Sequence, residues 1–142
     1  MKRLLLLAVL MATLIPVRSQ GSWANYYRSN ELEINYHAGI ECHDLTNGIH
    51  KKIVVLQFVN LTNQNLSISF NKQMWYNGRC IGCDNPAEQH FTVTLDPQQS
   101  LVGSCEDKQT KSLYIVDKML NGGNSMLTKF ELANIHIATI RQ

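Results

Sequence analysis

Glu31-Leu32-Glu33-Ile34-Asn35-Tyr36-His37-Ala38-Gly39-Ile40-Glu41-Cys42-His43 is the stretch that decides the fold. Leu32, Ile34, Tyr36, Ala38, Ile40 and Cys42 fall on one side of a two-residue repeat, with Glu31, Glu33, Asn35, His37 and Glu41 on the other. Such alternation sends the apolar side chains to one face of a pleated strand, whereas a helix would scatter them around its circumference. The run is long for a single strand, so Gly39 is expected to mark a bulge or bend. The same parity turns Cys42 inward, which suits a buried disulfide.

Outward from this strand, Thr46-Asn47-Gly48 has turn chemistry. Ile53–Val59 is almost continuously apolar and β-branched, the pattern of a central strand covered on both faces. Residues 60–65 turn the chain. Leu66, Ile68 and Phe70 then alternate with Ser67, Ser69 and Asn71 to give a strand with one wet face. From Met74 to Glu88 the alternation dissolves into a long loop holding Trp75, Tyr76, Gly78, Cys80, Gly82, Cys83 and Pro86.

Alternation returns at Phe91, Val93 and Leu95, and after a turn at Asp96–Gln99 a short strand covers Ser100–Cys105. Leu113–Val116 reads as a strand, although 112–121 also fits a short helix stopped by Gly122-Gly123. Phe130–Ile140 is the last strand, and its apolar parity shifts between Leu132 and Ile135, so a bulge is expected near Ala133-Asn134. About seven short strands with no amphipathic crossover helix predict an all-β fold, an immunoglobulin-like β-sandwich stabilised by disulfides.

The N-terminus has the three parts of a secretory signal peptide: basic Lys2 and Arg3, an apolar run over Leu4–Ile15, and small residues leading to a cut after Ser19. About a dozen apolar residues are too few for a membrane span, which needs roughly 20. The expected layout is a signal peptide over 1–19, an N-terminal arm over 20–30 that carries Trp23, Tyr26 and Tyr27, and one sandwich domain over 31–142. Export would place the domain in a periplasm or outside the cell.

Cutting after Ser19 removes 19 of the 142 residues and leaves 123. Lys2, Arg3 and Arg18 leave with the peptide, so 10 basic residues face 11 acidic ones. The basic field that nucleic-acid or anionic-membrane binding needs is then gone.

Cys42, Cys80, Cys83 and Cys105 form an even set, read first in an exported chain as two disulfides, with three connectivities open. Cys80-Ile81-Gly82-Cys83 also has the spacing of a redox motif, but such a motif usually has a helix N-terminus in a βαβ setting to lower its thiol pKa. The same pair has zinc-ligand spacing, which Cys42 and Cys105 would complete, with His43 or His90 able to replace one thiolate. No recurrent zinc module has these intervals, so structural bridges rank first, metal second and redox chemistry third. His37, His43, His50, His90 and His136 lie in different segments without a short metal spacing. No Gly-x-Ser-x-Gly elbow or paired acid and base is set up, so no enzyme and no cofactor is expected. Trp75 and Tyr76 are the candidate binding surface, although a Trp beside a disulfide more often packs into a core. Asn60-Leu61-Thr62 and Asn65-Leu66-Ser67 are glycosylation sequons.

Val54–Phe70 and Phe91–Ser100 resemble exported immunoglobulin-like modules in general. Met74–Cys80, the adjoining Cys83, Val102–Cys105 and Leu127–Leu132 resemble segments of small exported proteins of Bacteroidetes-type bacteria. That resemblance implies export and a β fold and assigns no site residue. The resulting expectation is a non-enzymatic binding or structural domain with a protein or glycan partner. The alternatives are a thiol-redox or metal protein centred on Cys80 and Cys83, and a small hydrolase or inhibitor with its site in loops.

Overall fold

A computed structural model of the chain describes residues 22–141, so the signal-peptide expectation falls outside the described residues. The fold is all-β. Among the described residues, nine antiparallel strands run in the order β1 (Ala24–Arg28), β2 (Leu32–Asp44), β3 (Ile49–Asn60), β4 (Asn65–Tyr76), β5 (Arg79–Ile81), β6 (His90–Leu95), β7 (Ser100–Val102), β8 (Tyr114–Met119) and β9 (Leu127–Ile140). They form two sheets. In the first, β1 pairs β2, β2 pairs β3, and the far edge of β3 is shared by β7 and β8. In the second, β9 runs along one edge of β4 while β6 and β5 share the other. Each sheet therefore has one long central strand with a continuous partner on one side and two short partners on the other.

Period-2 patterning explains how the sheets meet. Leu32, Ile34, Leu56 and Phe58 from the first pack against Leu66, Ile68, Phe70 and Leu95 from the second, all at 0% exposure. The Phe58 and Phe70 rings lie 5.2 Å apart at the centre. Burial of such side chains stabilises by about 1.5–3 kcal/mol each. Both expected bulges are present. The β2–β3 register shifts between His37 and Ile40 around Gly39 (φ 80°), and the β4–β9 register shifts next to Asn134 (φ 53°).

Two strands were not expected from the sequence. β1 forms from the polar arm, and Tyr26 reaches across to the other sheet, where its ring stacks on Phe130 and its hydroxyl accepts the Leu132 amide proton at 2.7 Å. β5 forms inside the expected loop because Asn77-Gly78, with φ of 50° and 81°, makes the two-residue turn that suits a tight hairpin. Within 112–121 the strand β8 forms rather than a helix, preceded by a 3-10 turn at Lys108–Leu113 that is held close by Gly103, where any Cβ would strike the Leu113 carbonyl.

Among the described residues, one charge is buried between the sheets. Lys72 on β4 is 4% exposed; its ammonium donates to the Tyr114 carbonyl at 2.9 Å and lies 4.5 Å from the Phe91 ring centre. Burial pulls its pKa down to about 8. The unfolded lysine titrates near 10.5, so below pH 8 the charged form is carried into the fold at a cost of about 3 kcal/mol. That cost is relieved as pH rises from 8 to 10.5, because the unfolded chain binds more protons throughout that window. Lys72→Met is therefore expected to be about 1–3 kcal/mol more stable than the parent at pH 7, the unpaired Tyr114 carbonyl taking back part of the gain. Urea titrations at several pH values should show the advantage vanishing by pH 10.5. An advantage that does not change with pH would mean that the ammonium is not paying for its burial.

Candidate functional site

All four cysteines are paired. Cys42 on β2 joins Cys105 beyond β7, across a Cα separation of 6.3 Å, and Cys80 joins Cys83 across 5.8 Å. The first bridge sits where parity placed it: Cys42 is 3% exposed and packs with Ile53, Val55 and Tyr114. The second closes a four-residue ring that starts on β5. Its glycine is demanded by the fold, because Gly82 has φ 88° and a Cβ there would strike the Lys72 carbonyl. Cys83 leads into a single 3-10 turn, Pro86–Gln89, too short to present the helix terminus that activates a redox thiol. With every cysteine sulfur in a bridge, a four-thiolate metal site does not form in this state.

The aromatic pair divides between two faces, as consecutive residues of a strand must. Trp75 lies on the outer face of β4 with the Lys129 ammonium 4.5 Å from its ring centre, and Lys129 in turn pairs with Glu131 at 2.6 Å. Tyr76 points the other way, and its hydroxyl donates to the Val116 carbonyl of β8 at 2.6 Å, a strut between the sheets. Burial first, then the Asp117 carboxylate, push the Tyr76 pKa up and keep that hydroxyl in its donating form.

The strut is at the floor of a groove of about 670 Å³, between β5 of one sheet and β8 of the other. Ile81, Val116 and Met119 make its apolar lining, and Arg79, Asp117 and Lys118 bring charge. Ile81 and Met119 are 44% and 37% exposed, large apolar side chains left facing water. Among the described residues, β5 pairs only with β4, and β8 has one isolated bridge, Lys118 with Met126, beyond its pairing to β3. The groove thus lies between two sparsely paired strand edges.

His43 and His50 are brought together, although the sequence alone spreads the histidines over separate segments. They are directly opposite on β2 and β3. His90 is elsewhere, on β6 beside the Asn71 side chain at 3.4 Å. No helix among the described residues is long and apolar enough to cross a membrane. No protein-family model, no curated protein and no solved structure matches the chain.

Proposed function

We propose that this chain is an exported, non-enzymatic binding domain that takes an extended polypeptide segment in the groove between β5 and β8. The groove carries the reading: an apolar lining, charged rims and two sparsely paired strand edges are what an extended chain needs for side-chain pockets and strand addition. Two closed disulfides support an oxidising compartment, and with it the signal peptide. The pairings of β3 with β7 and β4 with β9 favour an immunoglobulin-like arrangement, in keeping with the resemblance to small exported Bacteroidetes-type proteins. A sugar partner is less well served, because the Trp75 ring already has Lys129 over it.

The test is selection of displayed random peptides on the mature, non-reduced domain. Enriched peptides are expected to lose at least about tenfold in affinity, roughly 1.4 kcal/mol, against Arg79→Glu and Ile81→Glu. Both positions are exposed, so the variants should fold normally. Failure to enrich any peptide, or peptides indifferent to both changes, would reject the groove. A glycan array hit sensitive to Trp75→Ala would replace the polypeptide partner with a sugar.

A further inference from the structure

The β2–β3 hairpin carries a second constellation, remote from the groove in sequence and made of different chemistry. Glu41 and His43 share the outer face of β2, opposite in parity to the inward Cys42. His43 faces His50 across the ladder, and their rings lie 3.9 Å apart. One carboxylate oxygen, Glu41 Oε2, is 3.6 Å from Nε2 of His43 and 3.6 Å from Nε2 of His50. The other, Oε1, faces the Lys52 ammonium at 3.8 Å.

Hydrogen bonding does not explain this arrangement. At 3.6 Å neither nitrogen is hydrogen-bonded to the carboxylate, and His50 Nε2 is shielded from water with no hydrogen-bond partner. A buried polar atom is normally satisfied. Pairing both rings with the carboxylate as ions would set two imidazolium rings, tilted by 34° with centres 3.9 Å apart, against each other's like charge.

From this geometry we infer that Glu41, His43 and His50 form a binding site for a divalent transition-metal ion of the zinc class. Ligand bonds of about 2.0–2.2 Å from nitrogen and oxygen place tetrahedral ligand atoms roughly 3.3–3.5 Å apart. The observed 3.6 Å separations need only a slight contraction. All three ligand atoms already lie within 4.8 Å of one another. Two imidazoles in a set of three select zinc or its transition-metal neighbours over calcium and magnesium, which prefer oxygen. The Lys52 ammonium faces the second carboxylate oxygen at 3.8 Å, a charge that favours turning Oε2 towards the metal as outer-shell partners commonly do. The half-exposed side chains of Glu41 and His43 leave the fourth position open to water or an external ligand.

The site is held firm from several sides. The hairpin turn is tied by Asp44, whose carboxylate accepts from the Asn47 amide at 3.1 Å and its side chain at 2.8 Å. The Leu120 amide donates to the His50 carbonyl at 2.7 Å, and the Cys42–Cys105 bridge begins one residue before His43.

The test uses the untagged mature domain with its disulfides closed, titrated calorimetrically with zinc chloride. One zinc per chain and a raised Tm are expected, with affinity falling in acid because imidazole binds metal only when neutral. His50→Ala should weaken binding by at least the ten- to hundredfold that loss of an outer-shell partner costs a metal site, and Glu41→Gln should weaken it in the same direction. Cobalt(II) in place of zinc should give visible absorption that both variants lose. Lack of saturable binding up to about 1 mM zinc would overturn the site. So would binding unaffected in His50→Ala and Glu41→Gln, or magnesium binding as well as zinc. Groove variants should bind zinc normally, so this outcome stands apart from that of the peptide selection.

Discussion

Replacing Cys42 and Cys105 together with alanine is expected to lower the unfolding free energy by about 4 kcal/mol, read from urea transitions without reductant. The bridge spans 63 residues, so in the chain-entropy account it removes many conformations from the unfolded chain. Its native end is also well packed, with Cys42 at 3% exposure, so some cavity cost adds to the loss. Cys80 and Cys83 are only 3 residues apart, and the corresponding double alanine variant should lose about 2 kcal/mol. Equal losses from the two variants would show that loop length does not set the stabilisation.

The second large effect is expected at Asn60, which ends β3 with 0% exposure. Its side-chain amide donates to the Gln64 carbonyl at 2.7 Å and the Asp96 carbonyl at 2.9 Å. Its oxygen accepts from the Thr62 amide at 2.9 Å and the Thr62 hydroxyl at 2.8 Å. One residue thus joins the β3–β4 turn to the β6–β7 turn. Asn60→Ala should cost about 3–4 kcal/mol, since it removes four buried hydrogen bonds at roughly 1 kcal/mol each and unties the two turns. Asn60→Asp has almost the same shape, but sets a carboxylate against two carbonyl oxygens. Burial and those oxygens raise the pKa of the introduced acid, so the variant should regain stability as the pH falls and lose it as the pH rises through the carboxylate range. Thermal melts at acid and neutral pH would show this, and a pH-independent loss would contradict it. The Asn60 sequon is closed to glycosylation in the folded chain, because both side-chain amide protons are committed.

Residues whose environment is local were legible in the sequence. Alternation over residues 32–42 located β2 and its inward cysteine, and the parity break before Ile135 located the bulge at Asn134. β5 was hidden because Trp75, Cys80 and Cys83 obscured the pattern, although Asn77-Gly78 carried the hairpin signal. Recognising that turn would have extended β4 and placed Trp75 and Tyr76 on opposite faces. The groove was not legible, since Tyr76 and Val116 come from different sheets and no local rule sets their distance. The histidine pair is an intermediate case. Counting outward from Asn47-Gly48 brings His43 opposite His50 only if the turn has four residues, and a slip of one residue would separate them.

The Tyr26 contact bears on how this chain avoids its own copies. β9 is 14 residues long, and among the described residues its only ladder partner is β4, so its outer edge offers backbone groups to any passing strand. Such edges template aggregation unless they are interrupted. Near the middle of β9, Tyr26 already occupies the Leu132 amide, and two residues later the backbone buckles at Asn134. An incoming strand would have to displace a stacked tyrosine and track a kink to pair along the whole edge. The N-terminal arm thus covers part of the edge to which a second copy could add a strand.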